Sequence, residues 1–290
     1  MERTHPVTAA VYFTAVILIT AIIQSPVFSV TALVCSAVFA FLVNKRSAGK
    51  TLIAVIPVIA AAVLINMLFS NAGVTPLFRL PSGNNVTLET LVFSLFTGAM
   101  AASLVMWFIS LNKCMTSDKT VYLFGKILPS LALLLSMTLR AMPMFARRAK
   151  QTAAAQRFVG NDIYKGRLKG RIRSGVHVLS IAVTDTLEHS AYTARSMKYR
   201  GYGTARRTAY SIFSFTPTDI VITAITVTAA AIITVLYAGE YAYYNYYPAF
   251  ELPLTAGNII SYTAWGILCI LPVAAELYSK MKRRDRNEAL

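Results

Sequence analysis

The chain has 290 residues, of which 56% are hydrophobic and only 14% charged, and its mean hydropathy is +0.56. That composition excludes an ordinary soluble domain and predicts a polytopic membrane protein that is all-α, because only helices or closed barrels satisfy their backbones in lipid. The formal charge is +16, and it is clustered: 18 of the 28 Lys and Arg lie between Leu111 and Pro217, against four acids there.

In chain order, six apolar runs have the length a bilayer crossing needs: Val7–Gln24, Val27–Val43, Thr51–Ser70, Leu88–Leu111, Asp219–Ala238 and Asn258–Tyr278. Ser25-Pro26 leaves only a tight turn between the first two. The first run lacks a small-residue cleavage site and is followed at once by another, so it reads as an anchor and not as a signal peptide. The short loop Asn44–Lys50 carries Lys45, Arg46 and Lys50, and the tail after Tyr278 carries five further cations. The opposite loops, Asn71–Thr87 and Gly239–Gly257, hold one basic residue, Arg79. This asymmetry predicts that both termini are cytoplasmic. The tyrosines at 241, 243, 244, 246 and 247 suit the outer interface, where amphipathic rings anchor a span.

The expected organisation is therefore a membrane part of four spans over residues 1–111, a cytosolic or interfacial segment over 112–217, and two more spans with a basic tail over 218–290. Val121–Leu139 is apolar and long enough to cross, but cations flank it and Lys126 and Pro129 interrupt it. It reads as a helix lying in the inner interface or buried against the other helices. Beyond it, a helical run over Met144–Val159 ends at Gly160-Asn161-Asp162. A glycine-punctuated basic linker, Lys165–Arg173, follows. Val176, Leu179, Val183, Leu187, Ala191 and Ala194 then recur three or four apart, with Ile181, Ala182 and Tyr192 at neighbouring positions. They predict a helix with one apolar stripe, ending at Gly201-Tyr202-Gly203. A disordered basic tail would lack such residues. Each helix end carries an arginine, Arg157 or Arg200, which the helix dipole alone would favour.

Other patterns carry less. Gly49-Lys50-Thr51 is the tail of a phosphate loop without its first glycine, which Asn44 replaces, so an ATPase must be a separate chain. Three distant cysteines support neither a disulfide framework nor a zinc site. His177 and His189 are too far apart for a metal pair, and Asp162, Asp185 and Glu188 are expected to pair with arginines. No catalytic residue, metal site or cofactor is expected. Asn66 is expected to bond to another helix, and Glu89 to sit favourably at a helix start after Thr87.

The two glycine-ended helices resemble the paired signatures of the T component of energy-coupling factor (ECF) transporters. Ala194-Arg195-Ser196-Met197-Lys198-Tyr199-Arg200-Gly201-Tyr202-Gly203 is similar to that family's second signature, with Ser196 at its first alanine. Ala155-Gln156-Arg157-Phe158-Val159-Gly160-Asn161-Asp162 is similar to the first, departing at Val159, where the family often has arginine. His5-Pro6, Asn66 to Thr75 with Leu77-Phe78, Leu88-Glu89-Thr90-Leu91 and Ser136 to Pro143 fall in the family's order. The resemblance implies a non-enzymatic coupling subunit in a prokaryotic cell membrane, working with two cytosolic ATPases and a membrane S component for vitamin or metal-ion uptake. It places ATPase docking at Arg200, Gly201 and Tyr199 and at Arg157, Gly160, Gln156 and Ala155. A conventional permease enclosing its own path is the rival reading, but such a path calls for polar residues in several spans. A nucleic-acid surface fits poorly, because aliphatic stripes call for burial against protein.

Overall fold

The computed structural model describes residues 4–43, 48–69, 75–79, 85–160, 163–164, 168–204, 213–239, 244 and 255–288. Among them the chain forms nine helices and one short β-ribbon, so the fold is all-α. Contacts divide it into two compact units, Met1–Thr116 with Phe213–Leu290, and Ser117–Ile212.

Unit 1 holds α1 (Pro6–Ile22), α2 (Pro26–Val43), α3 (Ala48–Phe69) and α4 (Leu88–Cys114), then α8 (Pro217–Ala238) and α9 (Ala256–Glu288). Each of the six expected spans corresponds to one of these helices; among the described residues α2, α4, α8 and the first part of α9 are long and apolar enough to cross a membrane, and α1 and the Ile53–Phe69 part of α3 are shorter apolar helices. Prolines set two of the starts. Pro6 and Pro217 occupy first-turn positions, where a missing N–H leaves nothing unsatisfied. His5 Nδ1 caps α1 by accepting from the Val7 N–H at 3.3 Å. The buried Asp219 then ties two helix starts together. Its carboxylate accepts from the Thr216 N–H at 3.1 Å at the head of α8, and from the His5 N–H at 3.1 Å at the head of α1.

The core of unit 1 is aromatic. Trp107, Trp265, Tyr12, Phe13, Phe28 and Phe39 are all buried. Trp265 stacks on Phe28 at 5.2 Å and donates its indole N–H to the Phe28 carbonyl at 3.2 Å. Tyr12 donates its hydroxyl to the Leu268 carbonyl at 3.1 Å. The polar tips of Tyr12 and Trp265 are thus satisfied while their rings fill space. On α4, Ser94, Gly98 and Ala102 recur every four residues and are buried. A Cβ on Gly98 would lie 3.3 Å from the Ile59 backbone, so this glycine lets α3 and α4 approach closely.

The loop before α4 contains an antiparallel ribbon, β1 (Pro76–Arg79) with β2 (Asn85–Thr87), because the backbone groups beside a span start find partners in each other. Two expectations for this unit need correction. Asn66 does not reach another helix; its amide donates to the Ala62 carbonyl one turn back, at 3.1 Å. The basic tail continues α9 as helix to Glu288. Glu89 is buried and held, with the Thr75 hydroxyl 2.8 Å from both carboxylate oxygens and Thr87 capping the helix through the Thr90 N–H. Loop residues 44–47 and the tyrosine cluster, apart from Tyr244, lie outside the described residues.

Unit 2 holds α5 (Ser117–Ile127), α6 (Pro129–Phe158) and α7 (Leu168–Tyr199). The expected single helix over Val121–Leu139 is broken. Pro129 disfavours helical backbone at the residue before it, and Leu128 is extended at φ −137°, ψ 88°. Its second half instead runs on through Pro143 into the Met144–Val159 run as one 30-residue helix. The 11-residue α5 is too short to cross a bilayer. The basic linker is also shorter than expected, since α7 begins at Leu168.

Candidate docking site

Helix α7 ends on a complete glycine cap. Gly201 takes φ +77°, a left-handed conformation that a Cβ would strain. The Tyr202 N–H then donates to the Met197 carbonyl at 3.0 Å, and the Gly201 N–H to the Lys198 carbonyl at 3.0 Å. These are the two bonds of a Schellman motif, with Tyr202 and Met197 as its apolar pair. The cap leaves Tyr199 88% exposed and Arg200 exposed as the last side chains of a rigid end.

Helix α6 ends in a related way. Gly160 takes φ +91°, and its N–H donates to the Arg157 carbonyl at 3.2 Å. Ala155 and Arg157 are exposed, Gln156 is half-buried, and Phe158 and Val159 are 92% and 76% exposed. Where the signature departs at Val159, an apolar pair therefore stands at the tip with Arg157 one position before it. Asn161 and Asp162 lie outside the described residues.

The crossing of the two helices fixes where these ends point. Arg148 of α6 pairs with Asp185 of α7 at 2.7 Å, the ordinary role expected of that aspartate. On one side of that pair, Met137, Arg140 and Met144 of α6 share a groove with His189, Met197 and Arg200 of α7. The Arg200 end therefore lies beside the first half of α6, while the Arg157 end lies beyond Arg148. From Arg140 to Arg157 is about 25 Å along a helix axis. The two signature ends do not form one site.

The apolar face of α7 is also placed differently than the sequence suggested. Val178 and Ala182 are the buried positions, whereas Val176, Leu179, Val183 and Leu187 are 41–66% exposed. Ile172 extends the exposed stripe one turn earlier, at 61%. The expected stripe exists, but no described residue covers it. Among the described residues no group of three or more His, Cys, Asp or Glu is placed to hold a metal ion.

Comparison with known proteins decides the family. The model of the CbiQ family, described as cobalt transport protein, matches residues 1–211 of the 290. The chain belongs to the CbiQ family. Members of the CbiQ family are the T components of ECF transporters, a transport family and not an enzyme family. The chain is accordingly a multi-pass membrane component of a transporter that works with other subunits. No curated protein matches it. The CbiQ match spans α1 to α7 and so includes both glycine-capped ends.

Proposed function

We propose that this chain is the non-enzymatic coupling subunit of an ECF-type importer in a prokaryotic cell membrane, with both termini cytoplasmic. Two cytosolic ATPases would dock on unit 2, one at Arg200, Gly201 and Tyr199, the other at Arg157, Gly160, Gln156 and Ala155. A substrate-binding S component for a vitamin or metal ion would bind alongside in the bilayer. The observation that carries this reading is the pair of exposed, glycine-capped, arginine-bearing helix ends, one beside Arg140 and the other about 25 Å further along α6 from Arg140. One end per ATPase suits that separation better than a single composite site. A guanidinium presented by a capped helix is pre-organised to fork onto a partner carboxylate. Motion of the ATPases toward each other would then act on α6 and α7 as levers and pass to the membrane unit. The residues 112–217 would serve as the coupling segment, between membrane parts over 1–111 and 218–290.

The test is co-purification with the ATPase pair and uptake in cells. Arg200→Glu should insert normally but weaken the complex by about 2–5 kcal/mol, the usual loss when one partner of a desolvated charge pair is removed. Arg157→Glu should weaken it separately. Complexes and transport that survive both substitutions unchanged would overturn the docking assignment.

A further inference from the structure

The groove between α6 and α7 is an unassigned cavity of about 700 Å³. Its chemistry is divided. Met137, Ala141, Met144 and Phe145 supply an apolar wall on α6, while Arg140, Arg148 and Arg200 bring three guanidiniums to it. Arg148 is neutralised by Asp185, but among the described residues Arg140 and Arg200 have no acidic partner. The hydroxyls of Thr186, Ser190 and Thr193 on the opposite wall already donate to carbonyls of their own helix, at 2.6–2.9 Å. They face a ligand as acceptors, so the charged donors left for an anion are the guanidiniums, with His189 and the hydroxyls of Tyr192 and Ser196 also in the lining. The apolar wall does not stop at the rim. Leu134 lies one turn before Met137 on the same face of α6 and is 62% exposed, and Leu131 precedes it. Arg140 thus stands where an exposed apolar helical face ends, the position of a cation at headgroup level beside a bilayer.

We propose that this groove binds one anionic phospholipid, its phosphate bridging Arg140 and Arg200 and an acyl chain lying along Leu134, Met137 and Ala141. A phosphate relieves the repulsion between two guanidiniums that lack an acidic partner among the described residues, and the chain covers apolar surface that water would otherwise meet. A free phosphate would use the first feature and leave the second unexplained. An acidic protein segment would need donors for the hydroxyl acceptors as well as acids for the arginines. The site goes beyond the docking role but shares Arg200 with the proposed ATPase contact; Arg140 and the apolar wall of α6 belong to the groove alone, so variants there separate the two roles.

Native mass spectrometry of the purified full chain tests it, titrating phosphatidylglycerol against phosphatidylcholine with the same acyl chains. The expected result is one saturable, preferential phosphatidylglycerol that millimolar inorganic phosphate does not displace. Arg140→Gln should weaken it about fivefold, the worth of one cation near an anionic headgroup. Ala141→Trp, which fills the groove and keeps every charge, should remove it while leaving ATPase co-purification intact. Equal retention of phosphatidylcholine, displacement by phosphate alone, or full binding by the Ala141→Trp variant would each overturn the proposal. So would loss of ATPase co-purification by Arg140→Gln without any retained lipid, which would assign the groove to an acidic protein partner.

Discussion

Unit 1 surrounds two tryptophans, a tyrosine and three phenylalanines with six helices, and ties its polar groups internally through Asp219, Tyr12 and Trp265. Unit 2 has three helices among its described residues, and of the hydrophobic side chains described there only Val178 and Ala182 are buried. Its longer apolar side chains point outward along α7 and at the tip of α6. The contrast teaches what each unit contributes. The membrane unit has a packed interior of its own, while the basic unit keeps unburied apolar surface next to exposed cations, the profile of a surface that acquires its partners later.

That comparison can be broken most forcefully at Trp265. Trp265→Ala removes a buried ring and its hydrogen bond and should destabilise unit 1 by about 3–5 kcal/mol, seen as a lower thermal midpoint in detergent. Val178→Ala in unit 2 should lower that midpoint far less, by about 1 kcal/mol in stability. Equal effects would mean the two interiors are not different in kind. Gly98→Leu comes next. It forces a side chain into the Ile59 backbone, and about 1–3 kcal/mol of overpacking should separate α3 from α4 and reduce cross-linking between cysteines placed on them. The smallest expected effect is at the α6–α7 crossing. The Arg148–Asp185 pair is partly exposed, so Asp185→Asn should change stability by only about 0.2–1 kcal/mol in a double-mutant cycle. A much larger coupling would show that this pair, and not outside partners, holds the lever together.

The apolar helices of unit 1 were legible because lipid imposes continuous apolar runs, and hydropathy finds α1 to α4 and α8 within a few residues and the start of α9, though not its extension to Glu288. The glycine caps at Gly160 and Gly201 were legible too, since a left-handed position announces itself in the sequence. What periodicity could not decide was which of two adjacent apolar faces on α7 is covered. Val178 and Leu179 differ by a single step of about 100° around the helix. Only the packing of α6 selects Val178 and Ala182 over Leu179 and Val183. The break at Pro129 is visible as a proline, but the continuous apolar run around it masks its effect on Leu128. The groove had little linear signal. Arg140, Arg148 and Arg200 meet only because the helices cross, although the spacing of Met137, Ala141, Met144 and Arg148 on one face of α6 was a hint of a lined wall.

Hydrogen exchange of the full chain, with and without the two ATPases, is the most direct measurement of whether the capped ends are docking points. Residues 155–160 and 199–203 should both gain protection on complex formation, while the aromatic core of unit 1 stays unchanged. Identical exchange at both ends in the free and ATPase-bound chain would contradict the account.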